Sequence, residues 1–315
     1  MEGWVHRRDL IEPARLKALS QRSDARGALQ LGSQLAGLAV LGSGIEALWG
    51  SWWGVPVFLA QGVLLWGFGY AGQHELMHRT VFRSRALNDA AAALAGFLRC
   101  FPTAYSRAWH FAHHSYTKIP DRDPELLGTT PLTLGRYIGY VLGYDYMWWR
   151  WSILLRVAAG RRTEPYLSEA EFRPLVLEAR VHLALYALIA LLSVLLGSGL
   201  ALTCWIGPLL VTTPFYRFYL VAEHYGRPQV ADIIENSRTT RAGALLRWLM
   251  WTMPYHTEHH LFPGVPFYRL AALSQALRVG GHPAMRANVI ARSHIAVNAE
   301  ILRGLWTGDP LCRLR

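Results

Sequence analysis

"WWGVPVFLAQGVLLWGFGYAGQHELMHRT", residues 52–80, changes character partway along. Its first 22 residues, 52–73, carry no charged side chain. A helix that crosses the roughly 30 Å hydrocarbon core of a bilayer needs about 20 largely apolar residues. The end of the stretch carries His74, Glu75 and His78. On a helix, H-E-x-x-H sets two imidazoles one turn apart beside a glutamate, the arrangement that binds zinc and supplies a general base in metalloproteases. The stretch is therefore either the core of an intramembrane zinc hydrolase or one part of a larger metal site at the end of a membrane helix.

The hydropathy of the whole chain gives this helix partners. Residues 28–45 run 18 positions without a charge and are separated from 52–73 by Glu46 and a Trp/Gly turn. Segments 28–48 and 52–72 predict a helical hairpin that crosses and returns. Residues 181–216 contain no Asp, Glu, Lys or Arg. As one helix they would be about 54 Å long, too long for a single crossing. Gly197-Ser198-Gly199 marks a break, giving a second hairpin of 179–197 and 200–221.

All 32 Lys and Arg fall within 1–27, 73–180 and 217–315, which four spans place on one side. Basic loops mark the cytoplasmic face, so both termini are expected there and the net charge of +11 is a topology signal. Nucleic-acid binding is not expected. Only 17% of the residues are charged, against roughly 25% in soluble domains. Cys100, Cys204 and Cys312 are far apart and show no metal or redox spacing, so no disulfide framework is expected. The first apolar run follows a charged segment, which does not fit a signal peptide.

The expected architecture is an all-α integral membrane protein: four transmembrane helices in two hairpins, with a cytoplasmic helical cap. It forms a single domain over 1–315. The parts are a lead-in (1–27), a first hairpin (28–72), a cytoplasmic segment (73–178), a second hairpin (179–221) and a second cytoplasmic segment (222–315). Residues 132–149 predict an interfacial helix, 88–98 a packed or interfacial helix, and 160–174 an exposed connection.

Histidine spacing is the most informative feature. After His74 and His78 come "HFAHH", with His110, His113 and His114, and "HTEHH", with His256, His259 and His260. Positions i, i+3 and i+4 share a helix face, so each triplet is expected to project three imidazoles toward one point. A catalytic zinc takes three protein ligands, whereas eight or nine nitrogen donors suit two metal ions. A hydrolase would leave six histidines idle. Glu75 then either orients a ligand imidazole or simply packs. Asp121, Asp123 and Glu125 either orient histidines, dock an electron carrier or form a Pro-flanked capped turn. "ENSRTTR", 235–241, either orders the site or connects elements. His6, His182, His282 and His294 match no box and are expected to be structural.

The order H-x-x-x-H, H-x-x-H-H, H-x-x-H-H around two hairpins resembles the membrane fatty acid desaturase and hydroxylase superfamily. "HRTVF" (78–82), "YTKIPDRDPEL" (116–126) and "MPYHTEHHLFPGVPF" (253–267) are similar to its bacterial branch, and the resemblance covers most of 50–270. It implies two iron ions, with dioxygen as co-substrate and hydrogen abstraction from an unactivated C–H bond. The implied ligands are His74, His78, His110, His113, His114, His256, His259 and His260. A ninth, His224 in "VAEHYG", follows the last span. Two positions depart from relatives. Leu220 stands where animal acyl-CoA desaturases have an asparagine, and Thr252 stands where Asn is common before Met-Pro-Tyr.

Gly281-His282-Pro283 is followed by Ala284, so no fused haem domain is expected. Electrons would come from a separate ferredoxin, rubredoxin or haem carrier with its reductase. The expected activity is oxygen-dependent desaturation of a lipid or acyl chain in a bacterial inner membrane, with the active site cytoplasmic. A lipid or hydrocarbon hydroxylase of the same fold is the near alternative, and the zinc hydrolase the distant one. Trp66, Phe68, Tyr70, Trp109, Tyr216 and Tyr219 either line an apolar substrate tunnel or face lipid.

Overall fold

The computed structural model describes residues 7–126 and 133–308. His6, Cys312 and residue 132 lie outside them. Among the described residues the chain is helical apart from one short pair of strands.

Helix α1 (Pro13–Leu19) leads into α2 (Asp24–Ala47), which Ser23 caps by accepting from the Arg26 amide. After a turn, α3 (Gly54–Trp66) runs through a wide π turn, Gly67–Gly72, into α4 (Gln73–Met77). No proline or capping side chain interrupts 66–77, so Gly54–Met77 is one continuous helix of 24 residues. His74 thus sits on the last turns of a membrane-length helix.

Helix α5 (Arg85–Leu98) buries Ala91, Ala92 and Ala95, and α6 (Thr103–Tyr116) carries the second histidine triplet. In place of the single helix expected over 132–149 there are two, α7 (Leu134–Leu142) and α8 (Tyr144–Ala158). They meet at Gly143, whose φ of +72° suits glycine. A Cβ there would lie 2.4 Å from Thr213 Cγ2. The connection expected over 160–174 is also shorter than read, because α9 (Glu169–Leu195) starts early. Ser168 and Glu171 form a reciprocal capping box that nucleates it ahead of Pro174.

Asp24–Ala47, Gly54–Met77 and Glu169–Leu195 are each long and apolar enough to cross a membrane. Between 200 and 224 the chain is helical but interrupted. A π turn, Leu202–Ile206, precedes α10 (Gly207–Val211), and a turn at Thr212 separates it from α11 (Thr213–His224). Pro208 and Pro214 explain both breaks, since each lacks the N–H that a carbonyl one turn back requires.

Helix α3 packs between α2 and α10. At Gly62 a Cβ would fall 2.2 Å from the Pro208 carbonyl oxygen, so α3 and α10 touch backbone to backbone. Close approach at small residues is how helices associate in lipid. The outward faces of α2 and α9 expose Leu29, Val40, Leu188, Leu191 and Val194, the kind of surface that a bilayer covers.

The remaining elements are short: α12 (Ile233–Asn236), β1 (Arg238–Thr240), α13 (Ala244–Leu249), α14 (His256–Leu261), α15 (Leu270–Val279), β2 (Val289–Ala291) and α16 (His294–Thr307). Strand β1 pairs in parallel with β2, and Thr239 also bridges Tyr255. The 235–241 segment is thereby fixed beside the third histidine triplet.

Candidate metal centre

Nine histidines from four helical regions meet at the end of the α3–α4 helix. Their ring nitrogens form two groups, each within a 4.8 Å span. One contains His74, His78, His110, His114 and His259, and the other His113, His224, His256 and His260. His224, which lies in no triplet, joins the second group. His6 is undescribed, and His182, His282 and His294 belong to neither group.

The triplets do not converge on single points, as the shared-face argument predicts, but fork. His110 and His114 join the first group while His113 joins the second; His256 and His260 join the second while His259 joins the first. Helical geometry accounts for this. Residues i and i+4 differ by about 40° around the axis, whereas i+3 stands about 100° from i+4. Each triplet therefore places a pair in one group and a single imidazole in the other. The groups adjoin, and the His114 and His260 rings stack at 4.1 Å.

Inside the groups, Nε2 atoms face one another: His74 to His259 at 2.7 Å, His78 to His110 at 2.8 Å, and His224 to His256 at 2.8 Å. Some Nδ1 atoms point outward to partners, whereas those of His114 and His259 are buried without one. His113 Nδ1 lies 2.9 Å from Asp123, and His224 Nδ1 lies 3.2 Å from the Asn236 carbonyl. His260 Nδ1 lies 3.3 Å from the Thr117 hydroxyl. At His224 and His260 such partners fix the ring with Nδ1 protonated and the Nε2 lone pair turned inward.

Glu75 Oε1 comes within 3.2 Å of His259 Nδ1, both groups being fully buried. The approach is out of line, so both Glu75 oxygens lack a hydrogen-bond partner. Glu223 shows the same pattern. Its Oε2 accepts from the Tyr70 hydroxyl at 2.6 Å, while Oε1 stands 3.7 Å from His256 Nδ1.

Burial, followed by the neighbouring imidazoles, holds His110, His114, His256 and His260 well below the usual imidazole range. Burial likewise takes His259 down to about 3. These rings are neutral and have lone pairs to give. His113 is the exception. Burial lowers it too, but Asp123 and Glu125 prevail and raise it to about 9. Glu125 Oε2 lies 3.1 Å from His113 Nε2, on the inner side.

Of the acidic cluster, Asp123 both orients His113 and caps the turn, accepting from the amides of Lys118 and Glu125. Asp121 is exposed. In the 235–241 segment, the Asn236 carbonyl holds His224, and the Thr239 hydroxyl donates to Glu258 on α14. Sequence reasoning missed Glu223 and Thr117. Glu223 adjoins His224, and that adjacency was the available signal; nothing local marks Thr117.

A cavity of about 630 Å³ opens on the centre, lined by His74, His110, His113 and His256. Of the aromatics that could line a tunnel or face lipid, Tyr70, Trp109 and Tyr216 line it. Trp66, Phe68 and Tyr219 are instead packed in the interior and face neither cavity nor lipid. Its wall is mostly apolar, as a tunnel for an alkyl chain requires, but charged side chains interrupt it. Arg99, Arg156, Arg217, Glu125, Glu164 and Glu223 all border it, because the interrupted α7–α8 pair and α11 bring polar side chains inward.

A helical protein with three membrane-length helices and a buried cluster of nine imidazoles defines a membrane-associated class with a metal-binding type of site. The fatty acid desaturase family model matches residues 50–285, and the chain belongs to that family. An acyl-lipid 8-desaturase of Rebecca salina is 25% identical over 240 residues, 65% of this chain and 52% of that protein. A probable fatty acid desaturase of Sorghum bicolor is 26% identical over 276 residues, 78% of this chain and 68% of its own length. A dihydrorhizobitoxine desaturase of Bradyrhizobium elkanii is 25% identical over 253 residues, 70% and 66% of the two chains. The chain spans about half the length of some of these curated relatives.

Proposed function

We propose that the protein is an oxygen-dependent desaturase of an alkyl or acyl chain, with two iron ions held by the nine histidines. The partition of those histidines into adjoining groups of five and four carries this reading. The donor set fits such ions: buried neutral imidazoles have inward Nε2 atoms at 2.7–2.8 Å from one another, a packing that two lone pairs alone would resist and a cation between them would relieve. Imidazole suits iron and other borderline metals.

When bound, iron supplies activation of dioxygen. Overall, dioxygen takes up two electrons and two protons from outside and two hydrogens from adjacent carbons, leaving a double bond and two waters. The electrons come from a separate carrier protein. The chain's own residues hold and orient. Asp123, Asn236 and Thr117 fix the ring orientations of His113, His224 and His260. Glu75, aimed at His259, is turned away from the role of base that a zinc hydrolase would need. Glu223 and the Tyr70 hydroxyl form a buried pair able to hold a proton beside the cavity. The bacterial setting is supported by the Bradyrhizobium relative. Four spans, with the interrupted 200–224 segment as the last, put both termini and the centre on the cytoplasmic side.

Metal content and the Mössbauer spectrum of iron-labelled, detergent-purified protein test this reading. About two coupled irons per chain are expected, with lipid mass spectrometry showing loss of two hydrogens from a cellular chain. His113→Ala and His259→Ala remove one ligand from different groups, so each variant should fall toward one iron and lose turnover. Iron-replete, active forms of both would refute the assignment. Glu75→Gln should keep both irons and part of the activity; one zinc and no iron would restore the hydrolase.

A further inference from the structure

Two buried arginines, Arg99 on the cavity wall and Arg150 behind it, lack an anionic partner among the described residues. Arg99 and Arg150 are only 6% and 1% exposed. Arg99 donates to Gln73 Oε1 at 3.1 Å and to the hydroxyls of Tyr146 at 2.7 Å and Tyr216 at 3.4 Å, while its Nε has no partner. Arg150 lies over the rings of Trp66, Phe101 and Tyr146 at 5.4–5.5 Å, and its Nε and Nη2 are unpartnered. Neither makes an ion pair among the described residues. Arginines nearer the surface do: Arg79 and Arg107 share Asp89, and Arg156 holds Glu164.

Stacking on aromatic rings offsets part of the cost of a buried charge, yet two guanidinium groups without a counter-charge remain unfavourable. Their shared neighbour registers the field. Burial pushes the Tyr146 hydroxyl up, but Arg99 and Arg150 prevail and bring it down to about 8. Arg99, Tyr146, Tyr216 and Phe101 all line the cavity that reaches the histidines.

We propose that Arg99, backed by Arg150 and flanked by the Tyr146 and Tyr216 hydroxyls, binds the ionised carboxylate of the substrate. This rests on the oxidative reading of the histidine centre and narrows its substrate to a free acid. A planar two-oxygen anion matches the planar donors of a guanidinium. Glu164, ion-paired with Arg156 on the same wall, holds down the positive charge of the cavity, which favours a singly charged acid over a phosphate dianion.

Position fixes the regiochemistry. The Tyr70 ring lies 5.3 Å from the Arg99 guanidinium carbon and 6.1 Å from the His74 ring. One aromatic ring thus neighbours both the Arg99 guanidinium and a metal-binding imidazole. An acid held at Arg99 presents to the centre carbons within a few bonds of its carboxylate, and its tail has room along the wall toward the exposed lining residues Thr163 and Pro165.

The test is equilibrium dialysis of radiolabelled octanoate, octan-1-ol and octyl phosphate against the iron-loaded protein in nanodiscs, with empty nanodiscs as blank. Octanoate should bind saturably and at least tenfold more tightly than octanol. Arg99→Gln should abolish that preference and Arg99→Lys should retain most of it, both with unchanged iron content and melting temperature. Equal binding of acid and alcohol by the unmodified protein would overturn the proposal, and this comparison holds even if Arg99→Gln fails to fold. Tighter binding of octyl phosphate than octanoate would also overturn it. Because binding is read without turnover and iron is counted separately, a missing metal centre is distinguishable from a missing anion subsite.

Discussion

Thr252 sits just before the third histidine triplet with φ at +60°, following Trp251 at +47°. The left-handed region is costly for a β-branched residue and much less so for asparagine, whose short polar side chain tolerates it. This gives a physical reason for the Asn common at this position in relatives. The two turns of backbone steer the chain from α13 into α14, so the strain lies directly behind His256. Thr252→Asn should relieve it and stabilise the protein by about 1 kcal/mol, raising the melting temperature by roughly 2–4 °C. A lowered melting temperature in detergent would show that Thr252 makes a compensating contact.

Among the elements, the crossing of α3 with α10 is the least forgiving. The carbonyl oxygen of Pro208 and the hydroxyl of Thr212 would lie 2.2 and 2.4 Å from a Cβ on Gly62. The obstacle at Pro208 is backbone, which cannot swing aside as a side chain can. Gly62→Ala should force the helices apart and cost about 2 kcal/mol, in the range of overpacked cores. Because α3 continues into α4, the same shift moves His74 and His78. The variant should therefore lose iron on dialysis against a chelator faster than the unmodified protein, as well as melting earlier. A variant with unchanged melting and iron retention would mean that the crossing is more pliant than its contacts indicate.

For the whole molecule, the proposed four-span arrangement puts the 48–53 and 196–199 turns on the face opposite the histidines. Cysteines introduced singly at Ser51 and Ser198, in a chain with its native cysteines changed to serine, should react with a membrane-impermeant maleimide in intact cells. One introduced at Ser20 should react only after permeabilisation. Labelling of Ser20→Cys in intact cells would invert the topology. Labelling of Ser51→Cys without Ser198→Cys would show that the broken 200–224 segment does not cross.

The amino-acid sequence determined the helical class, the membrane-length segments and the identity of the nine histidines. Charge is too costly in hydrocarbon for a spanning helix to hide its length, and ligand spacing must follow the helical repeat. The sequence also contained, unread, the fork of each triplet, since an angular difference of about 100° follows from the helix repeat alone. Only tertiary structure decided which histidines share a group, because His74 meets His259 and His113 meets His224 across long stretches of chain. It also decided that Asp123, Glu75 and Glu223 stand behind the imidazoles, and that Arg99, without an anionic partner, lines the cavity. Those outcomes depend on how α6, α8, α11 and α14 pack together, and no local periodicity records which side chains meet when they do.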